Sequence, residues 1–270
     1  MIPAPFRYAR PGDLDHALEL LEEPDAKALA GGQSLLPVLK LRVASAALVV
    51  DVSRLPLRGV EIREEHVHVG PLTTWAELDT APELRRPGLE AVAECAVGIG
   101  DLQVRNRGTI GGSLAHADPA SDMAAVLMVL GAWLRLRSQG GERTVPVAEF
   151  PLGPFLTALE PEELVVDVTV PVPARGSGSA YVSVEHPASG FALAGAAALV
   201  DSRGTVSIAV TGIADRPFLL PAGVAVEDAL AAAEVYGDRF APAEYRRALA
   251  SVVAGRALAK ASARAQEVRS

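Results

Sequence analysis

Over the first fifty residues the apolar positions switch between two periods. Leu14, Ala17, Leu18 and Leu21 recur at helical spacing behind Asp13, a residue type that caps helix N-termini. This predicts a helix to about residue 23. Short continuous apolar runs at 26–30 and 46–51 read as strands, and a second helix, over 35–42 with Ser34 as its cap, lies between them. Strand and helix alternate, so this stretch predicts a small parallel α/β unit.

From Gly59 the texture changes. Runs 60–63 and 66–70 predict a hairpin around Glu64-Glu65, followed by helical patterns at 74–79 and 88–97 and a long polar loop over 98–113. The apolar stretch 123–130 reads as a helix introduced by Asp118 as N-cap and Pro119 at its first position. Strands are expected at 133–138, 143–147 and 164–170. A Pro/Gly/Ser-rich segment over 171–179 then marks a linker. Beyond it come strand-like runs at 180–184, 191–200 and 205–211, then helices over 224–235 and 242–268. The expected organisation is a domain over 1–175, with lobes of about 1–56 and 57–175. A smaller α+β domain over 176–270 would follow, with a three-stranded antiparallel sheet.

Composition narrows the function. The chain has 270 residues, half of them hydrophobic, so it can bury substantial cores. Its net charge of −8 argues against a nucleic-acid partner, which requires a basic face. Its one cysteine, Cys95, excludes an intrachain disulfide, a four-cysteine zinc site and a cysteine-ligated iron–sulfur cluster within the chain. The apolar runs 123–134 and 191–200 fall short of the ~20 residues of a membrane-spanning helix. No basic N-terminal segment followed by an apolar core marks a signal peptide. The expectation is a cytoplasmic protein without a membrane span.

Two glycine-rich turns carry the chemistry. The first, Ala30-Gly31-Gly32-Gln33-Ser34-Leu35, stands between a predicted strand and helix. The second is Thr109-Ile110-Gly111-Gly112-Ser113, preceded by Gly108. Glycines admit close backbone approach, and a helix N-terminus offers free N–H groups to an anion. Together the turns suit a dinucleotide pyrophosphate; taken singly, each is equally well a tight turn beside a helix. Neither is a Walker A or a Rossmann fingerprint, which disfavours an ordinary nucleotide triphosphatase or NAD dehydrogenase.

The run from Ala30 to Arg42 resembles the first FAD motif of the flavoprotein (medium) subunits of molybdenum hydroxylases, relatives of carbon monoxide and xanthine dehydrogenases. The run from Val104 to Asp122 resembles their second motif, and Gly70-Pro71-Leu72-Thr73-Thr74-Trp75 the segment between them. The resemblance spans essentially the whole chain. It implies a vanillyl-alcohol-oxidase-type (PCMH-type) FAD-binding domain of two α/β lobes and a C-terminal α+β domain. It also implies FAD in this chain, and [2Fe–2S] clusters and a molybdopterin cofactor in partner subunits. The partners would be a small iron–sulfur and a large molybdenum subunit, in a dimer of heterotrimers. Electrons would pass from the clusters to FAD and on to an external acceptor.

By the same resemblance, Ala30, Gly31, Gly32, Gln33, Ser34 and Leu35 hold the pyrophosphate from one side. Thr109, Ile110, Gly111, Gly112 and Ser113 hold it from the other. Asp122 approaches the ribose end, Thr73 contacts the flavin side, and Leu164 falls near a loop that packs on the cofactor. No catalytic residue is assigned and no metal site is expected in the chain. A valine at Gly111 is expected to block the phosphate's approach.

The family's lysine and basic pair near the start of the C-terminal domain are missing. The segment here reads Tyr181-Val182-Ser183-Val184-Glu185-His186-Pro187-Ala188-Ser189-Gly190-Phe191, so the acceptor is left open. Tyr181 reads either as a flavin shield or as a core residue. His66 and His68 share a strand face and read as surface residues rather than a metal site. Two rival functions remain: a stand-alone FAD-dependent oxidase or dehydrogenase, and a scaffold subunit without catalysis.

Overall fold

A computed structural model describes residues 2–269. The first unit is a parallel three-stranded sheet: β1 (Arg7–Ala9), β2 (Ala26–Leu29) and β3 (Leu48–Asp51) in the order β1-β3-β2. Helix α1 (Leu14–Leu21) crosses between β1 and β2, its start capped by Asp13, whose carboxylate accepts from the His16 amide at 2.8 Å. Helix α2 (Leu35–Lys40) follows β2. The fully buried β3 is central, as a parallel sheet covered on both faces requires.

The second unit is a five-stranded antiparallel sheet in the order β4-β5-β10-β6-β7. Its strands are β4 (Val60–Arg63), β5 (His66–Val69), β6 (Trp133–Ser138), β7 (Gly141–Pro146) and β10 (Leu164–Pro171), and a small hairpin of β8 (Pro151–Gly153) and β9 (Leu156–Thr157) precedes β10. Val67, Val69, Leu134, Leu136, Val168 and Val170 line one face and bury against helices. These are α3 (Trp75–Thr80), α4 (Glu90–Gly98), α6 (Ile110–His116) and α7 (Asp122–Val129), while α5 (Leu102–Arg105) has no buried residue and lies beside α3. Every residue of α7 after Asp122 is buried.

The third unit is a sheet of β11 (Gly178–Glu185), β12 (Ala192–Val200), β13 (Val206–Thr211) and β14 (Phe218–Leu219), with α8 (Val226–Ala232) and α9 (Ala243–Arg269). Helix α9, about 40 Å long at 1.5 Å per residue, lays Ala250, Val253, Ala254, Ala257, Ala261 and Ala265 on β11 and β12. Small side chains on both surfaces allow this close approach. Polar ties join the third unit to the second: Glu94 on α4 meets Lys260 at 2.6 Å and also Arg264, and the Ala91 amide donates to the Ser179 hydroxyl at 3.0 Å. Among the described residues no helix is long and apolar enough to cross a membrane.

Four expectations need correction. The stretch 98–113 is no plain loop, since it holds α5 and the start of α6. Asp118 does not cap the helix after it; its carboxylate accepts from the Ala120 amide at 2.9 Å, closing a turn, and α7 begins only at Asp122 behind Ser121. Ser34 occupies the cap position of α2 without a side-chain hydrogen bond. The last sheet has four strands rather than three, because Phe218–Leu219 pairs with β13.

Candidate functional site

The two glycine turns meet. Gly31, at the C-terminal edge of the parallel sheet, lies so close to the Arg107 carbonyl and Gly108 that a side chain there would collide with backbone. Gly32 takes a φ of +75°, open to glycine at no steric cost. The second turn is bound in turn to the segment before α3: Trp75 N donates to Gly108 O at 3.2 Å and Ile110 N to Thr73 O at 3.1 Å. Three separate pieces of chain, at 30–35, 70–75 and 107–113, thus converge at one place.

Their hydrogen-bonding capacity differs. Among the described residues, the amides of Gly31, Gly32, Gln33, Ser34 and Leu35 donate to no protein acceptor. In the second turn the four amides from Ile110 to Ser113 are taken. Ile110 donates to Thr73, Gly111 to Pro71 at 2.9 Å, Ser113 to the Thr109 carbonyl at 3.0 Å, and Gly112 to the Thr109 hydroxyl at 3.2 Å. Thr109 is therefore the side-chain cap of α6. The first turn is a row of available donors facing a wall built by the second. That arrangement suits an anion and fits the pyrophosphate of FAD: the donors are partly exposed, and no acidic side chain of these two turns repels it.

Asp122, at the start of α7, accepts a hydrogen bond from the Tyr181 hydroxyl. Burial pushes its pKa up to about 7; the Tyr181 bond works against this, and Glu185 and Asp118 add repulsion. Tyr181 is itself buried, and burial raises its pKa well above the ordinary value. It is a core residue of the seam between the second and third units. At the far end of α6, His116 packs on the Phe155 ring at 5.1 Å, and burial lowers its pKa. Phe155 is exposed and is held by its amide on the Ala117 carbonyl at 2.9 Å.

Three assigned residues do other work. The Thr73 side chain is fully buried; its hydroxyl donates to Gly59 O at 3.0 Å and accepts from Gly59 N at 2.9 Å, so it holds the 70–75 segment. Leu164 is buried at the start of β10, in the cluster formed with Leu18, Leu48, Val50 and Leu72, so it belongs to the core under the parallel sheet. At Gly111 a side chain would strike Pro71. The position is small for packing, and the expectation that a valine there meets phosphate is corrected. Sequence reading did not bring Pro71, the Arg107 carbonyl and Tyr181 into one constellation; Pro71 had a signal in the quoted 70–75 segment, and Tyr181 in its reading as flavin shield or core residue.

The histidines flagged on β5 lie away from the turns. His68 Nδ1 is 2.8 Å from the Asp167 carboxylate, and His66 packs edge-on against Trp133 at 5.1 Å. Arg105 bonds the Gly100 carbonyl at 2.6 Å, and His186 packs against Phe240 at 4.5 Å.

With this geometry in place, the comparisons with known proteins agree. Residues 4–173 match the family described as the FAD binding domain in molybdopterin dehydrogenase. The chain is similar to the carbon monoxide dehydrogenase medium chain of Hydrogenophaga pseudoflava, with 37% identity over 98% of this chain and 99% of that one. It is also similar to the caffeine dehydrogenase subunit beta of Pseudomonas sp. (strain CBB1), at 33% over 98% and 97%. The solved carbon monoxide dehydrogenase from Hydrogenophaga pseudoflava superposes with a TM-score of 0.92, over 98% of this chain and 99% of that chain, at 37% identity. The chain belongs to the FAD-binding medium subunits of the molybdenum hydroxylases. It is a mixed α+β flavoprotein subunit of an oxidoreductase complex, and its cofactor is FAD.

Proposed function

We propose that the chain carries FAD at the junction of its two glycine turns and serves as the electron-transfer subunit of a cytoplasmic molybdenum hydroxylase. The observation that carries this reading is the row of unpartnered amides over 31–35 set against the wall at 107–112. Those amides hold the pyrophosphate, and the Ser113 hydroxyl and Asp122 extend the same surface. Thr73 and Leu164 support the site from behind. When bound, FAD accepts electrons singly and releases them in pairs, which suits a junction between one-electron clusters and an external acceptor. The chain's residues bind and orient the cofactor, and Tyr181 holds the Asp122 carboxyl beside it.

The partners on this reading are a small subunit with [2Fe–2S] clusters and a large molybdenum subunit, in a dimer of heterotrimers. The single buried cysteine fits, since thiolate ligands for clusters must come from another chain. The first two units form the FAD domain over 1–175, with lobes about 1–56 and 57–175 of vanillyl-alcohol-oxidase type, and 176–270 forms the C-terminal domain. Relatives are named for carbon monoxide and for caffeine, so the substrate is read elsewhere than in this chain.

The test is the visible spectrum of the purified chain, with mass spectrometry of what heat releases. FAD near one per chain is expected, with rapid reduction only when the iron–sulfur partner is added. Turnover of an organic substrate by the chain alone overturns the electron-transfer role, and a colourless chain that takes up no FAD overturns the site.

A further inference from the structure

The 119–122 turn stands between the second glycine turn and the third sheet, and its backbone is held from the far side. The Thr211 hydroxyl, fully buried at the end of β13, lies 2.9 Å from the Ser121 carbonyl and 3.1 Å from that of Pro119. The next amide, Gly212, donates to the same Pro119 carbonyl at 3.2 Å. Gly212 has a φ of +78° and no room for a side chain against the Ala192 carbonyl, so it is confined to glycine.

Behind Gly212 sits Arg246 of α9, only 7% exposed. Its Nη1 is 2.6 Å from Gly212 O and 2.9 Å from Leu193 O, and its Nη2 is 2.7 Å from Asp238. A buried guanidinium is costly unless its donors are used, and here the two terminal nitrogens tie three segments together while Nε is left without a partner. On the near side, the Ser121 hydroxyl lies 3.4 Å from that of Ser113, in the second glycine turn.

We propose that Thr211, backed by Arg246, is the positioning residue through which the third sheet holds the 119–122 turn, and with it Asp122, against the cofactor. This rests on FAD lying at the glycine turns. Thr211 touches no cofactor itself. It fixes two carbonyls of the turn, which sets where the Asp122 carboxyl stands. The C-terminal unit then completes the FAD site rather than simply following it.

The test measures FAD binding to the full-length chain by flavin fluorescence, alongside thermal unfolding without FAD. Thr211→Val is expected to weaken FAD binding about tenfold, equal to ~1.4 kcal/mol. Thr211→Ser, which keeps the hydroxyl, should bind within about twofold of the parent, consistent with rescue of a single hydrogen bond. Thr169→Val is the control. Thr169 is also buried and its hydroxyl donates to Asp167 at 2.6 Å, away from the turns. It should lose stability and keep its FAD affinity.

The positioning role is overturned if Thr211→Val binds FAD as the parent does, or if Thr169→Val weakens binding equally. Should Thr211→Val not fold, Arg246→Lys is read instead. Loss of the fork is expected to weaken FAD binding about threefold, in line with the geometry that lysine lacks, and unchanged binding overturns the role. Gly31→Val separates the two claims. FAD lost there but kept in Thr211→Val removes the positioning role alone, while FAD kept in both removes the placement of the cofactor too.

Discussion

The two glycine turns look alike on paper, yet they use their amides differently. At 31–35 the glycines bring the backbone hard against Arg107 and Gly108, and the amides that follow are left without protein partners. At 109–113 the glycines make room for Pro71 and for the Thr109 cap, and the amides of Ile110, Gly111, Gly112 and Ser113 are all bonded within the protein. One turn presents donors; the other is a rigid surface that positions them. A glycine in a cofactor motif is thus not by itself a sign of ligand approach. The neighbour a side chain would meet decides which role it has.

Substitutions can break this contrast. The largest effect is expected at Gly31. Gly31→Val drives the turns apart and should weaken FAD binding by about 100-fold or more, equal to ~3 kcal/mol, measured as flavin retained by the purified chain. Retention at the parent level would remove the donor turn from the site.

Asp122 comes next. Its folded pKa of about 7 lies above the ordinary carboxyl value of 3.8, so the folded chain holds this proton more tightly than the unfolded chain. Its contribution to stability is full below about pH 4 and is lost as pH rises to about 7. The span is on the order of 4 kcal/mol, from a shift of about three units. Asp122→Asn should remove that fall from the pH profile of FAD-free unfolding, while an unchanged profile would show that another group titrates.

At Gly111 an alanine meets Pro71, which should cost about 2 kcal/mol of stability by overpacking. The folded fraction should still bind FAD within a few fold. Loss of FAD with full stability would instead make Gly111 a ligand-facing position. The smallest effects separate the two caps. Thr109→Ala should lower stability by about 1 kcal/mol, as for an engaged N-cap, and Ser34→Ala by less than about 0.5. Chemical denaturation of both variants would show it, and equal losses would break the contrast.

Much of the fold was legible. The α1 face, the 60–69 hairpin and the buried strand ending at Asp51 all follow from local periodicity and turn chemistry, which act over a few residues. Two turns were misread for the same physical reason. Asp118 and Ser34 each have the right residue type at a plausible start, but the chain path decides whether a cap forms: the Asp118 carboxylate bonds the Ala120 amide and the Ser34 hydroxyl makes no capping bond. Thr73 and Leu164 were assigned by position in a motif, and the fold buries the side chains of both.

By itself, the amino-acid order determined the family, the cofactor and the presence of the two glycine turns. Those rest on residue types that must be small or hydrogen-bonding whatever surrounds them. The tertiary structure decided which amides remain free, why Gly111 is glycine, and that Tyr181 and Thr211 reach back from the third sheet to the 119–122 turn. These contacts join residues 59 to 92 positions apart. Hydrogen bonds act over about 3 Å of space, so no local pattern along the chain records them.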